Sequence, residues 1–403
     1  MRKLSITLVL MVTAWLSMTY FVANMAEKEI KALLLENAQA ELSIELLSYQ
    51  RYFFSAIAIT KVTFKDDNDS DFSLQITSVI HHYPYQVSIK NSIELENERL
   101  KETAQGYFST SQWITSEDKI NLFAQLTGRL TVVAGFYESE TESLSTAPLL
   151  LDYHIDLKNR KGELTLNWAG LLANTLTNGV DLQSLQLISH FGQLAKQDDY
   201  DYQLKIEKIV YQQDQQRSLL EGFYLKGNRQ QGEKNSTIDT SNELRIKHYQ
   251  FNTDNKQIFT QSHIKLDITG LYQPAFELLN SGAGNTQEIE EALIALVNHG
   301  AQLKLAQLSS QTPWGEVNGK LDLVLDKGTP LTDIIINPYL LFDYMSGDAS
   351  LLLPVSLLGE PLLSEPLQMG LRSGFLQKNV QTLNLQASFQ QGELIVNGRV
   401  IPL

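Results

Sequence analysis

Leu164-Thr-Leu-Asn-Trp168 sets an apolar side chain at every second position with a polar one between, the two-residue period of a strand with one buried and one wet face. The same alternation recurs in Ile57-Ala-Ile-Thr-Lys-Val-Thr-Phe64, Phe72-Ser-Leu-Gln-Ile-Thr-Ser-Val79, Tyr153-His-Ile-Asp-Leu157 and Tyr202-Gln-Leu-Lys-Ile-Glu-Lys-Ile209. It returns in Ile264-Lys-Leu-Asp-Ile268, Leu321-Asp-Leu-Val-Leu325 and Leu383-Asn-Leu-Gln-Ala387. Strands wet on one side belong to antiparallel sheet. The expected fold is therefore mainly β with a few helices, built on one or more large curved antiparallel sheets. Helical spacing interrupts the run at Pro274–Asn280 and at Thr286–His299. The second stretch has Asn285 or Thr286 as cap, Glu288, Glu290 and Glu291 near its start and Gly300 as terminator. Pro338–Gly347 is a third candidate helix.

Ahead of the strands, Leu4 to Ala23 holds twenty residues without a charge, which as a helix matches the roughly 30 Å hydrocarbon core of a bilayer. Arg2 and Lys3 precede it, and Glu27, Lys28 and Glu29 follow with mixed sign, so the positive-inside rule leaves the N-terminus in the cytoplasm. The alternative is a cleavable signal peptide, which needs small residues at −3 and −1. Cutting after Ala23 puts Phe21 at −3 and cutting after Ala26 puts Asn24 there, so an uncleaved anchor fits better. From Ala26 to Leu46, Ile30, Leu33, Leu34, Ala38 and Leu42 fall at helical spacing and predict an amphipathic juxtamembrane helix. The expected organisation is an anchor over 1–26, a juxtamembrane helix over 27–48 and a β-rich domain over 49–403, with room for two subdomains dividing near 180–270.

Composition removes several function classes. A chain of 403 residues with 43% hydrophobic and 19% charged residues can bury a sizeable core and should fold. Net charge is −14, and beyond residue 26 thirty basic residues face 46 acidic ones, a balance that repels phosphate backbones and anionic headgroups, so no nucleic-acid partner is expected. The absence of cysteine excludes a lipid-modified N-terminal Cys, disulfides, thiolate metal sites and thiol nucleophiles.

Gly-Glu recurs at Gly162-Glu163, Gly232-Glu233, Gly315-Glu316 and Gly392-Glu393, three of them in the settings GELTLNW, GEVNGKL and GELIVNG, while a fifth pair at Gly359 has no matching context. The expected reading is a recurring hairpin, Gly supplying a positive-φ turn and Glu opening the outgoing strand on its wet face. Gly227-Asn-Arg-Gln-Gln-Gly-Glu-Lys-Asn-Ser236 reads as the most exposed loop.

Three stretches resemble the YdgA-like family, bacterial envelope proteins whose domain has no assigned function. Tyr49-Gln-Arg-Tyr-Phe-Phe-Ser55 is similar to the family's Tyr-x-Arg-Gly-x-Phe-Ser opening after the anchor, with Tyr52 where Gly is usual. His82-Tyr83-Pro84 stands where the family commonly has His-Gly-Pro. The C-terminal half adds Leu303-Lys-Leu305, Thr312-Pro-Trp-Gly315, Gly319 to Leu325, Gly347-Asp-Ala-Ser-Leu351 with Pro354, and Gly392-Glu-Leu-Ile-Val-Asn-Gly398. These are turn and strand punctuation, so the resemblance speaks to topology and location and implies no catalytic residue.

A search for chemistry yields no catalytic, cofactor-binding or metal-binding residue. The histidines His81, His82, His154, His190, His248, His263 and His299 form no HxH, HxxxH or HExxH pair, and adjacent His81 and His82 on a strand face opposite ways. Asp66-Asp-Asn-Asp-Ser-Asp71 alternates acids like a calcium loop but has Phe72 where the sharp-turn Gly belongs, and Asp198-Asp-Tyr-Asp201 reads likewise as an acidic hairpin tip. No GxSxG, SxxK, P-loop or GxGxxG is present. Trp113, Trp168 and Trp314 read as core anchors. The expectation is a non-enzyme of the bacterial inner membrane, held through residues 4–23 with its bulk in the periplasm. It would bind a hydrophobic envelope molecule such as a lipid, or an envelope partner. The alternatives are a self-associating scaffold or assembly factor and, third, an envelope hydrolase.

Overall fold

A computed structural model describes residues 2–36, 42–64, 72–192, 199–232, 236–251, 257–281, 285–337, 340, 343–390 and 392–401, without the side chains of 2–10, 29–30, 32–36, 42 and 332. The chain forms two compact units, Met1–Gln197 and Asp198–Leu403. It is mainly β, and every strand pairing among the described residues is antiparallel.

The first unit opens with α1 (Arg2–Glu36), then β1 (Leu42–Arg51), β2 (Ser55–Phe64), β3 (Phe72–His82), β4 (Gln86–Leu95), α2 (Glu98–Phe108), β5 (Ile114–Asn121) and β6 (Gln125–Val132). It continues with β7 (Gly135–Glu138), β8 (Glu142–Thr146), β9 (Leu149–Asp156), β10 (Lys161–Thr175) and β11 (Asn178–Phe191). Strands β1 to β6 pair in succession, β6 pairs with β9, β9 with β10 and β10 with β11, while β8 takes the far half of the β10 edge. The core lies where α1 crosses one end of this sheet. Val22 and Ala26 meet Ala56, Ala58, Ile80, Val87, Ile89, Ile120, Ala124 and Leu157. Small residues on both sides let the helix backbone approach the sheet closely. Arg51 fixes the crossing, donating to Asn24 Oδ1 at 2.5 Å and Glu27 Oε2 at 2.9 Å while its guanidinium covers the Tyr20 ring.

The second unit is a long meander of β12 (Tyr200–Gln213), β13 (Gln216–Gln231), β14 (Thr237–Phe251) and β15 (Gln257–Tyr272), then α3 (Gln273–Ser281), α4 (Thr286–His299), β16 (Ala301–Thr312), β17 (Gly315–Leu325), α5 (Leu331–Ile336) and β18 (Met345–Pro354). A short 3-10 turn leads into α6 (Pro361–Arg372), β19 (Gln377–Lys378), β20 (Thr382–Gln390), β21 (Glu393–Val396) and β22 (Arg399–Ile401). Strands β12 to β18 pair in chain order and β18 pairs with β20, whose other edge takes β19 and β21.

Several expectations need correction. The helix expected over 27–48 stops at Glu36, and Leu42 onward is strand. Ile44 and Leu46 also satisfy a two-residue period, and their antiparallel pairing with Val62 and Thr60 satisfies the backbone through the sheet. Among the described residues no helix is long and apolar enough to cross a membrane. The anchor expected over 4–23 has its residues 4–10 among those whose side chains lie outside the description. At its other end Thr19, Val22 and Ala23 are buried in protein. α4 has the expected bounds, with Asn285 and Glu288 forming a reciprocal capping box. The candidate helix Pro338–Gly347 falls partly outside the described residues, and Met345 already opens β18. The loop expected from Gly227 is strand as far as Gln231, with Arg229 buried.

Of the Gly-Glu pairs, Gly315 opens β17 and Gly392 immediately precedes β21, both from positive φ, as expected. At Gly162 the reason is space: a Cβ there would lie 2.5 Å from the His154 carbonyl oxygen. Gly232 follows the end of β13, and Glu233 lies outside the described residues.

Candidate functional site

The register of the second unit aligns its apolar residues into rows that run across the strands. One row is Leu204, Leu225, Leu244, Ile264, Leu308, Gly319, Leu351 and Leu385, each directly paired with the next over β12 to β18 and β20. The neighbouring row is Tyr202, Gly227, Asn242, Leu266, Leu305, Leu321, Ala349 and Ala387. Neither contains a charged side chain. All the leucines of both rows are only half-buried, and Ile264 is exposed. An apolar area of this width, partly wet, differs from a sealed core, because wet apolar surface costs roughly 25 cal/mol per Å². At one end Arg229, buried, donates to Glu277 Oε1 of α3 at 2.8 Å and lies over the Phe276 ring. Of the intervening residues, Lys205, Lys226, Lys304, Lys320 and Ser350 are exposed, while Gln203, Glu243 and Lys265 are half-buried.

The first unit has a different centre. Asp118 on β5 is buried, and three donors converge on its carboxyl: Asn91 Nδ2 at 2.6 Å, Ser116 Oγ at 2.9 Å and the Tyr153 hydroxyl. Ser78 Oγ in turn donates to Asn91 Oδ1 at 2.6 Å. Gly128, which pairs with both Asp118 and Tyr153, leaves the space these two side chains occupy, since a Cβ would collide with both. Burial pushes the Asp118 carboxyl above the usual carboxylate range against the pull of its donors, and burial together with Asp118 raises the Tyr153 hydroxyl. These groups form a buried polar tie between β3, β4, β5 and β9.

The residues singled out in the sequence are dispersed. His81 is exposed and His82 buried, as opposite faces of β3 require; His82 Nδ1 lies 3.3 Å from the Phe53 carbonyl oxygen, and burial holds its pKa below the ordinary histidine value. Asp66–Asp71 and Asp198 lie outside the described residues, while Asp199 accepts from the Gln231 N–H. Trp113 stacks on Phe108, Trp168 Nε1 donates to the Ala147 carbonyl and Trp314 Nε1 to Glu360. Among the described residues no group of three or more His, Asp or Glu is placed to hold a metal ion. Single-sequence reading misses the rows and the Asp118 cluster, because both depend on which strands pair and in what register.

A family model described as "Bacterial protein of unknown function (DUF945)" matches residues 1–403. The chain belongs to this family. Neither a curated protein nor a solved structure is significantly similar to it. Membership extends over the whole chain and assigns no chemistry to the apolar rows.

Proposed function

We propose that this chain is a YdgA-like protein of the bacterial inner membrane, anchored through residues 4–23 with its N-terminus cytoplasmic and its bulk periplasmic. Its second unit would bind the acyl part of a lipid or similar hydrophobic envelope molecule along the apolar sheet face. The observation that carries this reading is the pair of uncharged rows across eight strands, whose apolar side chains are only half covered. A bound chain would cover them without asking for any specific polar partner.

The test uses two adjacent substitutions that change charge equally. Leu351→Asp puts a carboxylate on the apolar row, where it has no partner, and Ser350→Asp puts one on the exposed side of the same strand. Full-length protein is purified and its bound lipid measured by native mass spectrometry. The expected result is lipid bound to wild type and to Ser350→Asp and lost from a folded Leu351→Asp. A lipid-free wild type whose Leu351→Asp variant unfolds would favour the scaffold reading instead.

A further inference from the structure

Four turns of the first unit meet at one end of its sheet: β1–β2 at 52–54, β3–β4 at 83–85, β5–β6 at 122–124 and β9–β10 at 157–160. They are lateral neighbours. The His82 N–H donates to the Phe54 carbonyl at 2.8 Å, Val87 pairs with Ile120, and the Leu157 N–H donates to the Ala124 carbonyl at 2.9 Å. Tight turns ordinarily carry Gly, Asn, Asp, Pro or Ser. Three of these carry only Pro84 from that set and otherwise Tyr52, Phe53, Phe54, Tyr83, Tyr85 and Phe123, all exposed, Phe123 at 72%, with Leu122 and Ala124 beside the last.

The helix leaves from the same end. Lys31 lies over the Tyr49 ring, Arg51 holds Asn24 and Glu27 and covers Tyr20, and Trp15 meets Phe54 with ring centroids 5.7 Å apart. Followed toward its N-terminus, α1 therefore runs along β1 and out past the first turn. The fourth turn, Leu157-Lys-Asn-Arg-Lys161, places three cations at this end of a chain whose net charge is −14. Glu94, Glu96, Glu98, Glu138, Glu140 and Glu142 lie toward the opposite end, where Glu142 pairs with Thr175.

We propose that this aromatic and basic rim is a membrane-contact surface, seated in the headgroup and upper acyl region of an anionic bilayer around the emerging helix. The proposal rests on the anchor reading above. The direction of α1 supports it: Trp15, packed on Phe54, lies N-terminal to Ala23, so the helix leaves the sheet past the first turn on the side where the anchor enters the bilayer. Phe54 beside Trp15 thereby turns the rim toward the headgroup boundary. Exposed aromatic rings favour that boundary, and Lys158, Arg160 and Lys161 complement anionic headgroups.

The chain has no cysteine, so single-Cys probes are clean. Tyr85→Cys and Phe123→Cys on the rim, and Leu176→Cys in the far β10–β11 turn where Leu176 is 79% exposed, are labelled with an environment-sensitive dye. Each full-length variant is reconstituted into phosphatidylglycerol-containing vesicles with or without lipids quenching at headgroup depth. Quenching at 85 and 123 several-fold greater than at 176, and reduced by Lys158→Glu with Lys161→Glu, is the expected result. Labels at 85 and 123 as wet and unquenched as the one at 176, in protein that stays with the vesicles through carbonate washing, would overturn the rim and leave the anchor standing. Protein released by that washing would overturn both.

Discussion

Replacing Asp118 by Asn tests the balance of forces in the buried cluster of the first unit. The wild-type carboxyl receives hydrogen bonds from Asn91, Ser116 and Tyr153, each worth about 0.5–1.5 kcal/mol net. Asparagine keeps one oxygen and turns an NH₂ toward a donor, so it forfeits at least one of them, a loss of about 1–3 kcal/mol for a buried group left unpaired. That loss is constant with pH, whereas the wild-type term is not. Burial raises the folded pKa of Asp118 above its unfolded value, so its contribution to stability is fully present below the unfolded pKa and declines as pH rises through the folded pKa. The advantage of wild type over Asp118→Asn should therefore be largest near pH 4 and shrink toward neutrality, with the unfolded carboxyl titrating near 3.9. Urea unfolding of both proteins, followed by tryptophan emission at several pH values between about 4 and 8, measures the difference directly. An advantage that grows with pH would mean that the three donors outweigh desolvation, and would refute the reasoning.

Two further outcomes follow from the same geometry. Buried His82 has a lowered pKa, so its contribution is present above the unfolded value near 6.5 and is lost as pH falls through the folded pKa; His82→Gln should remove that part of the acid-side loss in thermal melts, and an unchanged acid limb would count against it. Gly319 is the one gap in the first apolar row, and an added Cβ would meet the mobile ends of Leu308 at 3.0 Å and Leu351 at 3.4 Å. Gly319→Leu should fold at a cost of about 1–3 kcal/mol or less while lowering bound lipid, and undiminished lipid would show that the row is not where it sits.

The strands were the most legible feature, because alternation such as Leu164-Thr-Leu-Asn-Trp168 is a local property, and that stretch lies within β10. α4 was legible to the residue, since Asn285, Glu288 and Gly300 carry its cap and stop in sequence. α2 was hidden because it buries no residue, and α6 because Pro366 interrupts its interior. The candidate site was largely illegible. Leu204 and Leu385 lie at opposite ends of one row, and only the sum of seven registers brings them into line. Asp118 sits in the polar string Thr-Ser-Glu-Asp-Lys, where parity with Ile120 is the sole signal that it points inward. The aromatic turns were visible as large apolar residues where turn formers are expected, at Tyr52-Phe-Phe54 and Tyr83-Pro-Tyr85.

The central claim, an acyl chain lying along the rows of the second unit, is tested most directly by photo-crosslinking. Full-length protein is loaded with a fatty acid carrying a photoreactive group in its chain, irradiated, digested and mapped by mass spectrometry. Adducts should fall on Leu225, Leu244, Leu305, Leu308 and Leu351 and spare the exposed Lys226, Lys304 and Ser350 on the other side of the same strands. Adducts spread equally over both sides, or confined to α1, would contradict it.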